Sequence, residues 1–281
     1  MNVLHRQRWI VFAFLPFLGL LTACGSKISV DQAFEQTREV ELAATVSGVP
    51  DLPTVPPDTP LPAVEYSTEI VSLATADGIN LSGTLFLSEG DTAVILAHMA
   101  GENDQQNWIP FANQIAGEGF TALTFDFRCY GQSDCGGNLS GDILSMDIGA
   151  ALNFLREQGF QRIVCVGASM GGRGCVGVAF DEELAGLIIV SGTGTGNPDK
   201  EDLDGFVSAD MPKLFIVSNN DHIADRTASM TSLYDSAPEP KIFKTFSGSA
   251  HGTELFSSSH DSAFRETLLN FLDGIRSPDE S

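Results

Sequence analysis

The feature with the clearest chemical potential is a serine that lies between glycines at a strand-to-helix boundary. The segment Gly167-Ala168-Ser169-Met170-Gly171 follows the apolar run Ile163–Val166 and begins a glycine-rich helical stretch. Glycines on both sides allow the tight, strained turn that presents a serine hydroxyl to solvent. The N-terminus of the next helix would direct backbone N–H groups toward a developing oxyanion. The pattern therefore predicts Ser169 as the nucleophile of an acyl-transfer reaction.

A serine hydroxyl needs a histidine to take its proton and a carboxylate to orient that histidine. On this kind of turn the chain order is serine, then acid, then histidine. His251 lies in a loop of small residues directly after the last predicted strand, and it is the predicted base. Asp221 follows the apolar run Leu214–Val217 and is the predicted acid, with Asp225 as the alternative. Helix capping or surface exposure is the other role open to Asp225.

The elements around these residues follow a regular alternation. The runs Thr68–Thr75 and Ile79–Leu87, joined by Asp77-Gly78, favour a β-hairpin. After the hairpin, short apolar strands alternate with helical patterns, which predicts a mostly parallel sheet covered on both faces. The predicted strands are Ala93–Ala97, Phe120–Phe125, Ile163–Val166, Leu187–Val190, Leu214–Val217 and Ile242–Phe246. The predicted helices are Trp108–Glu118, Ile143–Gln158, one from Met170, one near Ala224–Tyr234, and Ser262–Ile275.

Five short motifs together resemble the α/β-hydrolase superfamily over about residues 66–276. They are Leu96-Ala97-His98-Met99-Ala100, the stretch from Phe125 to Ser133, Gly167-Ala168-Ser169-Met170-Gly171-Gly172, Asn220-Asp221 and Ser249-Ala250-His251-Gly252. They are most similar to bacterial single-domain esterases of the dienelactone-hydrolase and monoacylglycerol-lipase kind. The resemblance implies the α/β-hydrolase fold, with a mostly parallel central sheet and helices on both faces. Only about 20 residues, Ser191–Asp210, stand where relatives insert a cap, so we expect a short or absent cap.

The resemblance also implies roles for residues around the serine. By position, the backbone N–H groups of Ala100 and Met170 would bind the oxyanion. Where the family has His-Gly, this chain has His98-Met99, and we expect His98 to stabilise its loop. In the stretch after the fourth strand, Cys129 replaces a family glycine.

The activity implied is hydrolysis of a carboxylic ester through an acyl-enzyme, with no cofactor and no metal. The expected substrate is a small-molecule or lipid-like ester. Thioesterases, peptidases and perhydrolases use the same three residues, and a non-catalytic binding lipoprotein of the same fold or an envelope scaffold are further alternatives. Acyl-chain length and oligomeric state are open, with a monomer assumed.

The N-terminus has the pattern of an export and lipidation signal. His5, Arg6 and Arg8 precede an apolar run, Trp9–Leu21, of about 13 residues, which is short of the roughly 20 needed to span a bilayer. The following Leu21-Thr22-Ala23-Cys24-Gly25 resembles the bacterial lipobox, which implies lipidation at Cys24. We therefore expect a signal peptide over residues 1–23 and a lipid-anchored, proline-rich tether over 24–65. The catalytic domain would span 66–281, on the extracytoplasmic side of a bacterial membrane.

Charge and cysteine content agree with an exported protein. The net charge is -22, and such a surface repels phosphate backbones, so nucleic acid is not an expected partner. An oxidising compartment permits disulfides, and Cys129 and Cys135 flank one short loop, so we predict that they pair. Cys165 and Cys175 could form a second disulfide or remain two buried thiols.

Overall fold

The computed structural model describes residues 65–136, 141–194, 205–206 and 208–276. The predicted signal peptide, Cys24, most of the tether and part of the cap segment lie outside these residues. The strands are β1 (Ser67–Ala74), β2 (Asn80–Leu87), β3 (Thr92–Ala97), β4 (Thr121–Phe125), β5 (Arg162–Ala168), β6 (Gly186–Val190), β7 (Lys213–Ser218) and β8 (Lys241–Phe246). The helices are α1 (Ile109–Gly117), α2 (Gly141–Glu157), α3 (Met170–Val178), α4 (Arg226–Ser236) and α5 (Asp261–Asp273). Short 3₁₀ helices occupy Gln105–Asn107 and Gly252–Ser257.

The strands form one eight-stranded sheet in the order β1-β2-β4-β3-β5-β6-β7-β8. β1 pairs antiparallel with β2, and β2 with β4, whereas all the other neighbours are parallel. The predicted hairpin and the mostly parallel sheet are therefore confirmed. Gly78 in the hairpin turn has φ 82, a conformation that glycine adopts without strain.

Side chains of the central strands alternate between two cores, one on each face of the sheet. In β3, Ile95 belongs to the core that also holds buried residues of α2, α3 and α4, while Val94 and Leu96 belong to the core that holds residues of α1 and α5. The central strands read as continuous apolar runs because both of their faces are covered. On α2 the predicted stripe of Ile148, Leu152 and Leu155 is fully buried. These layers are the α/β-hydrolase fold expected from the sequence.

A buried arginine connects three separate segments, which are the loop after β4, α2 and the β1–β2 turn. Arg128 donates to Asp147 of α2 at 2.6 Å and to Asp77 of the β1–β2 turn at 2.8 Å. Arg128 and Asp147 are fully buried, so each depends on the other's charge. The hydrogen bonds from Arg128 and from Thr75 hold the pKa of Asp77 at about 2. The two ion pairs of Arg128 fix the loop that continues into Cys129.

Both pairs of cysteines in the described domain form disulfides. Cys129–Cys135 closes the loop after β4, as predicted. Cys129 has φ 65, a left-handed conformation that glycine, the residue the family resemblance implies here, adopts without strain. Cys165 and Cys175 are also bonded, which decides the alternative that the sequence left open.

None of the described helices combines the length and the apolar character that crossing a membrane requires.

Candidate active site

Ser169 occupies the sharp turn between β5 and α3. Its backbone has φ 48 and ψ -105, which few residues other than glycine adopt. Its N–H donates to the Val190 carbonyl at 2.8 Å, and this bond holds the turn against β6. A side-chain carbon at Gly171 would collide with the Ala97 carbonyl, so helix and loop can approach only because Gly171 has none. The Ser169 side chain does not cap α3, which leaves its hydroxyl available.

Asp221 and His251 form a buried hydrogen-bonded pair. His251 Nδ1 lies 2.9 Å from both carboxylate oxygens of Asp221. Their side chains are 0% and 8% exposed, so the contact is shielded from water on most sides. Burial by itself would raise the pKa of Asp221, but the hydrogen bonds from His251 and from the Ile223 amide outweigh it and lower that pKa. The carboxylate therefore stays ionised at neutral pH and selects the tautomer with a proton on Nδ1.

The loops that carry this pair are connected beyond the ends of β7 and β8. Ser218 Oγ donates to the Ala250 carbonyl at 2.6 Å, and the Asn219 N–H donates to the Phe246 carbonyl at 2.8 Å. The Asn220 N–H reaches the Gly248 carbonyl at 3.1 Å. Because the two parallel strands end side by side, their loops continue the pairing and bring Asp221 to His251.

The histidine loop also rests against the serine turn. Gly252 follows His251 with φ 54, and a side-chain carbon there would lie 2.9 Å from Met99 Sδ and 3.3 Å from Ala168 Cβ. The residue after His251 thus contacts the residue before Ser169. The Ser169 hydroxyl makes no hydrogen bond to His251 among the described residues. Such contacts are often long in free enzymes and shorten when substrate binds.

The loop after β3 approaches the same turn through His98. The His98 carbonyl accepts the Gly171 N–H at 3.1 Å, so the loop is attached to α3. Ala100 is exposed and Met170, the first residue of α3, is half-buried. The N–H groups of Ala100 and Met170 are not donated to any other described residue. Both remain available as donors at the turn.

His98 is fully buried, and both of its ring nitrogens are engaged. Nδ1 lies 2.8 Å from the Met99 carbonyl and must donate, while Nε2 accepts the Phe127 N–H at 3.0 Å. Only the neutral ring can do both. Burial lowers the pKa of His98, in the same direction. The expected role of His98 in stabilising its loop agrees with these contacts.

Two polar residues beside His251 had no predicted role. Glu254 accepts the His251 N–H at 2.8 Å, and its carboxylate lies 3.2 Å from His222 Nε2. The spacing of Glu254, three residues after His251 at the start of a helical turn, resembles a capping box and could have indicated the first contact. Nothing in the sequence indicates the second, because His222 and Glu254 are far apart along the chain.

The last histidine among the described residues, His260, and the alternative acid, Asp225, do not take part in the Asp221–His251 contact. His260 Nε2 is 2.8 Å from Ser247 Oγ, away from Asp221. Asp225 has φ 59, is exposed, and makes no capping bond to α4. Within the described residues, no three histidine, cysteine, aspartate or glutamate side chains are grouped to hold a metal ion.

Comparisons with known proteins agree with this architecture. Residues 90–266 match the family model described as an alpha/beta hydrolase domain. An esterase from Pyrococcus furiosus superposes with a TM-score of 0.62 at 19% identity, over 75% of this chain and 92% of that one. An alpha/beta hydrolase from Penicillium gives 0.62 at 18% identity, over 75% and 99%. A thermophilic esterase from Thermogutta terrifontis gives 0.58 at 15%, over 74% and 100%. Curated proteins yielded no match. At these identities the likeness to solved structures concerns the fold.

Proposed function

The chain belongs to the alpha/beta hydrolase domain family, and from this premise we infer that it is a serine hydrolase that cleaves carboxylic esters. The single observation that carries the inference is the Asp221–His251 pair, with both contacts at 2.9 Å, in a loop that packs against the Ser169 turn. An ionised carboxylate and a histidine in this relation have one well-known use beside a strained, uncapped serine, which is to activate its hydroxyl.

The reaction proceeds in two halves. Ser169 Oγ attacks the ester carbonyl while His251 Nε2 takes its proton, since Nδ1 is bonded to Asp221. Asp221 stabilises the imidazolium that forms, and the N–H groups of Ala100 and Met170 bind the oxyanion. His251 then protonates the leaving alcohol, which departs and leaves an acyl group on Ser169. In the second half His251 Nε2 takes a proton from a water molecule as its oxygen attacks the acyl carbonyl. The bond to Ser169 Oγ then breaks, His251 returns the proton to Ser169, and the acid product leaves.

Activity-based labelling tests the nucleophile directly. We expect a fluorophosphonate probe to label the wild-type chain at Ser169 and p-nitrophenyl acetate to be hydrolysed. Ser169→Ala should abolish both, because the remaining groups cannot form an acyl-enzyme. A series of p-nitrophenyl esters of rising acyl length then defines the substrate.

A matched control is Ser262→Ala, which removes an exposed hydroxyl on α5. It should keep labelling and hydrolysis. Hydrolysis that persists in Ser169→Ala at the wild-type rate would refute the mechanism, and a folded wild-type chain that neither reacts with the probe nor cleaves any ester would refute the function.

The proposal extends to location. A lipid anchor at Cys24 would hold the domain at the extracytoplasmic face of a bacterial membrane, in reach of lipid-like esters.

A further inference from the structure

A second histidine–carboxylate pair borders the first, and we call His222 and Glu254 the outer pair. His222 Nε2 lies 3.2 and 3.3 Å from the two Glu254 oxygens. Both side chains are about half exposed, so the pair is open to solvent. The backbone N–H of His222 also donates to the Ser249 carbonyl at 3.0 Å, which attaches His222 to the loop that carries His251.

The outer pair contacts His251 in two ways. Glu254 accepts the His251 N–H at 2.8 Å, and the Glu254 N–H donates to the His251 carbonyl at 3.0 Å, so both backbone groups of His251 are held by one residue. The ring of His222 stands edge-on to the His251 ring, with centroids 5.6 Å apart and an angle of 70° between planes. His222 is also the residue directly after Asp221. Both Asp221 and His251 therefore have a member of the outer pair beside them.

We propose that the outer pair of His222 and Glu254 positions His251 and adjusts the pH range over which His251 serves as the base. This proposal rests on the function proposed above. Glu254 does not reach the reacting atoms and acts through His251, so it is a positioning residue. His222 acts through its charge and through the contact of its Nε2 with the Glu254 carboxylate.

The two members have opposite electrostatic effects on His251. A negative charge on Glu254 favours protonated His251, whereas a positive charge on His222 opposes it. Histidine changes its charge between about pH 5 and 8, the range in which a catalytic histidine works. Among the described residues, the other charged groups that face this cluster are Asp221, from the loop after β7, and Arg226 at the start of α4, which interacts with the Asp221 charge. Neither of these two changes its charge in that range.

The experiment measures the acid limb of kcat/KM for p-nitrophenyl acetate with the full-length chain in detergent. His222→Gln removes the positive charge but keeps a donor for Glu254. His251 should then protonate more readily, and the midpoint of the acid limb should rise. Glu254→Gln removes the negative charge but keeps an acceptor for the His251 N–H, and the midpoint should fall. Each shift should be roughly half a pH unit, the effect of one screened charge at about 5–6 Å. The double variant should return close to the wild-type midpoint.

The control for charge alone is Glu69→Gln on β1, at the sheet edge opposite β8. It should leave the midpoint unchanged. Midpoints that move in the same direction in both single variants, or in neither, would overturn the proposal. If His222→Gln fails to fold, His222→Asn replaces it.

A second readout separates this proposal from the function on which it rests. An NMR titration of the His251 ring in the same variants measures proton affinity without turnover. If the titration midpoints of the His251 ring shift in opposite directions in a chain that hydrolyses no ester, the effect of the outer pair is supported and the proposed function is refuted. Unchanged titrations in a chain that hydrolyses esters through Ser169 would refute the outer pair alone.

Discussion

At the scale of the residue, the site depends on a carboxylate that water does not reach. Asp221 is enclosed, and its charge is stabilised by hydrogen bonds from His251 and from the Ile223 amide. Because its pKa is lowered despite burial, it remains a charged acceptor at the pH where a neutral histidine can act as a base. In the proposed mechanism it orients the His251 ring and stabilises its charged form.

We expect Asp221→Asn to reduce kcat about 10³- to 10⁴-fold, since an amide can present its N–H to Nδ1 and select the wrong tautomer. The measurement is p-nitrophenyl acetate hydrolysis at pH 7–8. Asp225→Asn is the matched control, because it makes the same change four residues away on an exposed side chain with no capping bond. Equal losses in both variants would contradict the assignment of the acid.

The buried His98 makes the stability of the folded chain depend on pH. Its pKa is lowered by burial, and the Met99 carbonyl and two nearby carboxylates only partly offset that effect. The unfolded chain therefore binds a proton near pH 6.5 that the folded chain resists. The contribution of His98 is fully present above pH 6.5 and is lost as the pH falls through the folded pKa.

We expect the free energy of unfolding to fall by up to about 1.4 kcal/mol per pH unit below pH 6.5 because of this one group. His98→Asn should make that slope shallower, although the variant is less stable overall because it loses the Phe127 contact. Urea unfolding at pH 7.5, 6.5 and 5.5 measures the slope. His260→Asn is the comparison, and an unchanged slope in His98→Asn would contradict the expectation.

At the scale of the element, a disulfide holds together the strand and the helix on either side of the turn that presents Ser169. The disulfide joins Cys165 of β5 to Cys175 of α3, with Cα atoms 5.8 Å apart, and so spans the serine turn. Both cysteines are fully buried. The covalent link prevents α3 from separating from β5, and a tight turn with unfavourable backbone angles persists only when its surroundings hold it.

We expect the double variant Cys165→Ala/Cys175→Ala to lose about 2–3 kcal/mol of unfolding free energy and to show a lower kcat. The loss of stability follows from the freedom that the unfolded chain regains. Chemical denaturation and ester hydrolysis on the same preparation measure both quantities.

Cys129→Ala/Cys135→Ala provides the contrast, because it opens a loop of similar size that does not span the serine. Its loss of stability should be comparable, with a smaller change in kcat. The expected link between the Cys165–Cys175 disulfide and catalysis would be disproved if the two double variants lowered kcat equally.

At the scale of the whole molecule, the parallel sheet collects the site at one edge. The loops that follow β3, β5, β7 and β8 all leave from the same edge of the sheet, and they carry Ala100, Ser169, Asp221 and His251 respectively. Parallel strands place their carboxyl ends together, which is why such sheets bind ligands there. The proposed anchor belongs to the same scale, since it would place the whole domain at a membrane.

We expect Cys24→Ser to move the protein from the membrane fraction to the soluble fraction, because the acyl chains can no longer be attached. Fractionation and incorporation of labelled palmitate measure the change. Ser169→Ala should stay in the membrane fraction. Unaltered fractionation of Cys24→Ser would show that another segment retains the chain.

Much of the architecture could be predicted because its evidence is local. The apolar runs and the Asp77-Gly78 turn predicted every strand that the structure describes to within about two residues, the usual uncertainty of element ends. Burial on two faces makes strands such as Ile163–Val166 continuous apolar runs, so they are visible in the sequence. The helices from Trp108 and Ile143 were visible through their periodic apolar residues.

The amino-acid sequence alone was enough to predict the fold from its strand pattern and motifs, and the Cys129–Cys135 disulfide from two cysteines that flank one short loop. It also supplied, through the order of residues along the chain, the three residues proposed for catalysis. The tertiary structure decided that Cys165 pairs with Cys175, that His98 is held as a neutral ring, and that Glu254 and His222 lie against His251. These features depend on distances between segments that are remote along the chain. Local pattern carries no information about such distances until the sheet has aligned the ends of its strands.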